Sequence, residues 1–272
     1  MSPARVAVLQ FPGVNCEAET IRALTRAGLE AEVFRWTRPV RELAAFDAFV
    51  LPGGFSYQDR VRAGALAAKD PLVDALAEQA EAGRPVLGIC NGAQVLVEAG
   101  LVPGGRGVAI ALARNRMPDR TGYQARWARC RVEETQCVFT RLLPAGTVLP
   151  MPVAHGEGRF TAADPGVMAG LVGSGQVPLR YVDAQGEVAG DFPDNPNGSE
   201  VAAAAVGNLR GNVLAIMPHP ERVLDLGAVA RAVGGEWGAR RDAAFEQGGE
   251  APFGPSPGMS LFAGLRAHLE DA

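Results

Sequence analysis

The 272-residue sequence is most informative first for what it has little of. Lysine is almost absent: Lys69 is the single one among 26 basic residues, and the rest are arginine. No apolar stretch approaches the roughly 18 residues that a bilayer span requires; runs such as Val108–Ala113 are short. The opening Met1–Gln10 is too brief for a secretory signal and reads as a first strand. Cysteine occurs four times (Cys16, Cys90, Cys130, Cys137) without a C-x-x-C pair. That argues against a disulfide framework or zinc knuckle and for reduced thiols in the cytoplasm. Positive charge is not in excess either, the net charge being −4, so nucleic acid is a poor candidate ligand. What is present is a globular composition, 47% hydrophobic and 21% charged, long enough to bury a core without staples.

The first hundred residues alternate strand and helix signatures. The spacing predicts strands over Arg5–Phe11, Glu32–Trp36, Ala48–Leu51 and Pro85–Ile89. Helices are expected over Cys16–Ala27, ended by Gly28, and from Pro71 to Ala82 behind an Asp70 cap. A further helix should run from Cys90 to Ala99. This rhythm predicts an α/β fold with a mostly parallel sheet flanked by helices. Shorter runs follow at Arg126–Val132, Cys137–Leu142, Val148–Ala154, Leu179–Val182 and Val201–Val206, and are expected as antiparallel additions at the sheet edge. Asn212–Met217 returns to the buried-strand pattern, and Ser260–Glu270 reads as a last helix. The chain is taken as one domain, 1–272, with an Ala-, Arg- and Gly-rich insertion at about 229–254.

Gly88-Ile89-Cys90-Asn91-Gly92, at a strand-to-helix junction, fits the elbow that presents a nucleophile in a tight turn. Small residues two before and two after let strand and helix approach, and the helix N-terminus favours a thiolate. A cysteine nucleophile needs a base, and the histidines are three: His155, His219 and His268. His219 follows a buried strand in Met217-Pro218-His219-Pro220-Glu221, with Glu221 placed to hold its tautomer. His155, in His155-Gly156-Glu157-Gly158, is the rival, while His268 falls in the final helix. The two H-x-E pairs, His155/Glu157 and His219/Glu221, also allow a metal reading, which would leave the elbow unexplained. The glycines of Leu51–Tyr57 could offer a backbone amide to pair with that of Asn91 as an oxyanion hole. No Gly-Lys-Ser/Thr follows them, so no ATP cradle is legible.

Cysteine, then His-Pro-Glu, on a parallel α/β sheet resembles the class I, triad-type glutamine amidotransferases, whose fold is flavodoxin-like. Phe11–Cys16, Pro52–Tyr57 with Asp59 and Arg62-Ala63-Gly64, Gly88–Gly92 with Gln94, His155–Phe160, Asn195–Ser199 and Met217–Arg222 narrow the likeness. They resemble the glutaminase subunit of phosphoribosylformylglycinamidine synthase, over nearly everything from Arg5 to Val223. The resemblance implies Cys90 as nucleophile, His219 as base and Glu221 as its partner, with Gly54 and Asn91 supplying oxyanion amides. Gly53, Phe55, Gln94 and His155 are expected on the substrate side. It further implies L-glutamine as substrate, no cofactor or metal in this chain, and ATP and Mg on a large synthetase subunit joined by a small accessory subunit. Two positions depart from the family pattern: Gln58 stands where glycine is usual, and Ala93 where phenylalanine is.

Overall fold

The computed structural model describes residues 3–105 and 107–271. Its first part runs β1 (Arg5–Gln10), α1 (Glu17–Arg26), β2 (Glu30–Arg35), β3 (Ala48–Leu51), α2 (Pro71–Glu81), β4 (Val86–Ile89) and α3 (Asn91–Glu98). Then come β5 (Ala111–Ala113), β6 (Gln124–Val132), β7 (Val148–His155), β8 (Arg159–Thr161) and α4 (Pro165–Gly173). The last part is β9 (Leu179–Val182), β10 (Ala203–Gly207), β11 (Val213–Ile216), α5 (Gly235–Gln247) and α6 (Met259–Asp271).

Apolar runs without alternation need cover on both faces, and β3, β4 and β11 are buried at every residue. They lie mid-sheet in the order β2-β1-β3-β4-β11-β10-β9-β6-β7. From β2 to β11 all neighbours are parallel; from β11 to β7 all are antiparallel. The parallel end has the flavodoxin-like order, which gathers ligand-facing loops at the strands' carboxyl ends. Asp70 caps α2 as expected, its side chain accepting from the Leu72 amide, with Pro71 in the first turn.

Two expectations need correction. Cys137–Leu142 is not a strand: the Thr140 and Leu143 amides bond back three residues, to Cys137 and Thr140. This tight turn buries Val138 and Phe139 as a plug. The run expected from Val201 starts its strand at Ala203, because Val201 and Ala202 are left-handed and break the extension. Segment 229–254, expected as an insertion, carries a helix, α5, which the glycine-rich sequence did not announce. Also unanticipated are α4 and the small β5–β8 pair, in which Leu112 faces Phe160. No helix among the described residues is long and apolar enough to cross a membrane.

Candidate active site

The junction of β4 and α3 forms the expected elbow. Cys90 has φ 51° and ψ −103°, a sparsely populated conformation that costs a side-chain-bearing residue about 1–3 kcal/mol. Flanking glycines are obligatory here. A Cβ on Gly92 would sit 2.0 Å from the Leu51 carbonyl oxygen, and one on Gly88 would sit 2.6 Å from that of Gly92. β11 completes the turn, its Ile216 carbonyl accepting from the Cys90 amide at 2.8 Å. The Cys90 sulfur lies 3.6 Å from the Ala154 carbonyl oxygen.

His219 and Glu221 follow β11, the strand beside β4, so the parallel sheet brings them to the elbow. The His219 amide is fixed on Pro152 O of β7 at 2.8 Å. Its Nδ1 and Glu221 Oε1 are 2.5 Å apart, and both side chains are essentially inaccessible. Burial would lower the imidazole pKa, but the Glu221 carboxylate and the Cys90 sulfur outweigh it and push it up to about 10. At neutral pH the ring therefore carries both protons, Nδ1–H towards Glu221 and Nε2–H with no partner of good geometry.

Cys16 brings a second sulfur near. Cys16, His219 and Glu221 place donor atoms within 4.8 Å of one another, the single such trio found among the described residues. The four-ligand metal reading with His155 and Glu157 is therefore not formed. Cys16 is at the N-terminus of α1, receives Arg222 Nη2 at 3.3 Å and does not line the cavity. Burial, more than its charged neighbours, pushes its thiol up to about 12. Gly53 lies between the two thiols. A Cβ there would meet His219 Cε1 at 2.9 Å, Cys16 Sγ at 3.1 Å and the Cys90 Cβ at 3.6 Å.

A cavity of about 420 Å³ opens on Cys90 and His219, with Gly54, Phe55, Gln94 and His155 also in its wall. Gly53 lies behind this wall rather than in it. Gly54 pairs with Val14 in an antiparallel bridge closed by Asn15 N to Gly53 O and Phe55 N to Gly13 O. That pattern turns the Gly54 amide outward, and a Cβ at this residue would be 2.6 Å from Val14 Cα. Among the described residues neither the Gly54 nor the Asn91 amide has a protein acceptor. The Asn91 side chain ties the loop down, accepting from Ser56 N at 3.0 Å and donating to Gln94 Oε1 at 2.9 Å. Gln94 in turn donates to Glu157 O at 2.6 Å.

His155 ends β7 and is buried, its Nδ1 3.2 Å from Asn115 Oδ1. Burial first, and the neighbouring His219 second, lower its pKa to about 3. Asp59 and Glu157 also line the cavity. Burial, with Glu157 adding to it, pushes the Asp59 carboxyl up to about 6. Asn115 and Tyr123 complete the surroundings and were not singled out from the sequence. Their positions depend on the β5–β8 pair and the loop beyond it, which carries no motif.

The sequence from residue 3 to 263 matches the family described as CobB/CobQ-like glutamine amidotransferase domain. A relative from Methanothrix thermoacetophila, named phosphoribosylformylglycinamidine synthase subunit PurQ, is 48% identical over 80% of this chain and 86% of its own. One of the same name from Thermus thermophilus is 47% identical, covering 81% of this chain and 90% of its own. Among solved structures, one described as PurLQS from Thermotoga maritima superposes with a TM-score of 0.72 at 30% identity, over 99% of this chain and 100% of that one. The glutaminase domain of Trypanosoma brucei CTPS, at 14% identity and TM-score 0.52, shares the fold.

Proposed function

The chain belongs to the CobB/CobQ-like glutamine amidotransferase domain family, and on that premise we propose that it is the glutaminase subunit of phosphoribosylformylglycinamidine synthase. It hydrolyses L-glutamine and passes the ammonia to an ATP-using synthetase subunit that makes formylglycinamidine ribonucleotide. The observation that carries this reading is a strained cysteine and a carboxylate-held histidine opening on one cavity with two unengaged backbone amides.

Cys90 attacks the carboxamide carbon of glutamine as the thiolate, its proton being one of the two that His219 already holds. The Gly54 and Asn91 amides receive the oxyanion, a contribution of about 3 kcal/mol for one such donor. His219 gives its Nε2 proton to the nitrogen as the C–N bond breaks, leaving a γ-glutamyl thioester and ammonia. Now neutral, and freed of the negative sulfur that raised its pKa, His219 takes a proton from water as that water attacks the thioester. Glu221 holds one tautomer throughout. Phe55 and Gln94 shape the substrate side.

No cofactor is assigned to this chain. ATP and Mg belong on the large partner subunit, in keeping with the lack of a phosphate-gripping loop here. A small third subunit completes the assembly, and free, buried thiols suit a cytoplasmic setting. The test is Cys90→Ala. It should abolish glutamine hydrolysis in the complex and trap no thioester, whereas wild-type enzyme quenched in acid should carry γ-glutamate on Cys90. A wild-type chain that never forms the thioester would leave only a scaffold.

A further inference from the structure

Two of the residues that line the cavity, His219 and His155, each carry a buried ring nitrogen without a partner, Nε2 in both, and the two have opposite hydrogen-bonding character. His219 Nε2 carries a proton, as argued above. The state of His155 follows from Asn115. The Asn115 Nδ2 donates to His155 O at 2.7 Å and to Gly122 O at 3.0 Å, and its Oδ1 accepts from the Gly158 amide at 2.9 Å. Those three contacts permit only one orientation of the amide. Oδ1 must then face His155 Nδ1, which has to be the N–H, and Nε2 is left with a lone pair. With the pKa held near 3, this acceptor persists across the physiological range.

Glutamine presents the complementary need. Once its carboxamide oxygen takes the Gly54 and Asn91 amides, its NH2 group still has two N–H donors to place, and burying them bare is costly. We propose that His155 Nε2 accepts an N–H of the glutamine carboxamide and holds that nitrogen while His219 protonates it. His155 is thus a substrate-touching residue set by Asn115, and the assignment rests on the glutaminase reading. The step balances as before: the S–C bond forms, the C–N bond breaks, and the His219 proton completes ammonia, which keeps one hydrogen directed at His155. The same lone pair opposes the γ-carboxylate of glutamate, which has no hydrogen to offer. It therefore separates substrate from product at the one atom where they differ.

The experiment compares two substrates in single-turnover thioester formation: L-glutamine and L-glutamate γ-methyl ester, whose leaving oxygen has no N–H. In the assembled complex, His155→Leu should slow the glutamine reaction about 10- to 100-fold and the ester reaction less than about threefold. The ratio of the two rates cancels damage to folding, which lowers both. His155→Gln, able to offer Oε1 as acceptor, should recover most of the glutamine rate. Equal slowing of both substrates, or no slowing with glutamine, would overturn the proposal. Turnover of glutamine by Cys90→Ala would instead overturn the glutaminase reading itself.

Discussion

Cys16 and Cys90 flank the same glycine, yet their environments set them apart. Cys16 is a protonated, enclosed thiol next to Arg222, while Cys90 faces the cavity. A glutamine-analogue electrophile should therefore label Cys90 alone, and Cys16→Ser should keep labelling within about threefold; a label recovered on Cys16 by mass spectrometry would reverse the assignment. The histidines predict a pH response. His219, raised to about 10, holds its proton at neutral pH, so single-turnover hydrolysis should decline as pH rises through about 10. The stability this raised pKa contributes is full below the unfolded value near 6.5 and is lost over the same alkaline rise. His155 has the opposite sign. Depressed to about 3, it takes up its proton on unfolding, so stability should fall as pH drops from 6.5 towards 3. Asp59, raised to about 6, works against that slope between about 4 and 6. Urea midpoints measured from pH 3 to 7 should show a shallower acid decline in His155→Gln than in wild type. Cys90, His219 and Glu221 could be picked out as candidates in the sequence because Cys90 comes directly after buried β4 and the other two within five residues of buried β11. Asn115 was not, because an irregular loop beside a three-residue strand delivers it.

The loop after β3 stores strain that the sequence only hinted at. Tyr57, Gln58 and Asp59 all have positive φ, 52°, 60° and 52°, and Gln58 occupies the position where the resembled family has glycine. Gln58→Gly should raise stability by about 1 kcal/mol, read as a higher urea midpoint; a lower one would mean that the side chain earns its place by contacts. Segment 229–254 is held differently. Trp237 of α5 donates its indole N–H to Val148 O of β7 at 2.9 Å. Trp237→Ala should speed proteolysis and hydrogen exchange across 229–254 while leaving thioester formation unchanged. The βα units of the first hundred residues could be read because continuous apolar runs and capping residues agree there. In α5 one glycine caps the helix, a second is its first residue, and its apolar face is sparse, so periodicity gave no signal. Cys137–Leu142 failed for the converse reason: six residues of strand-like composition were folded into a turn that fills the space beside α6.

At the scale of the whole molecule, the proposed function puts glutamine hydrolysis and the use of ammonia on separate subunits. The complex assembled with Cys90→Ala should therefore lose glutamine as nitrogen source and keep ammonium. The isolated chain should be a slow glutaminase, accelerated about a hundredfold when the synthetase docks, because reorienting one amide of the Gly53-Gly54 loop is worth that much. Comparing glutamine hydrolysis with and without the partner checks this, and full speed in the lone chain would refute it. The sheet order has a further meaning in time. β11 is the latest strand to be made, yet it lies in the middle, between β4 and β10. The strand that supports the elbow through Ile216 is also the one whose next residues are the base. A ribosome translating this message thus carries, for most of the job, a chain with a cysteine but no machinery around it. Stalled nascent chains ending before Val213 should ignore the electrophile, and those extended past α6 should react. On that outcome, the order of synthesis keeps glutamine from the unfinished enzyme.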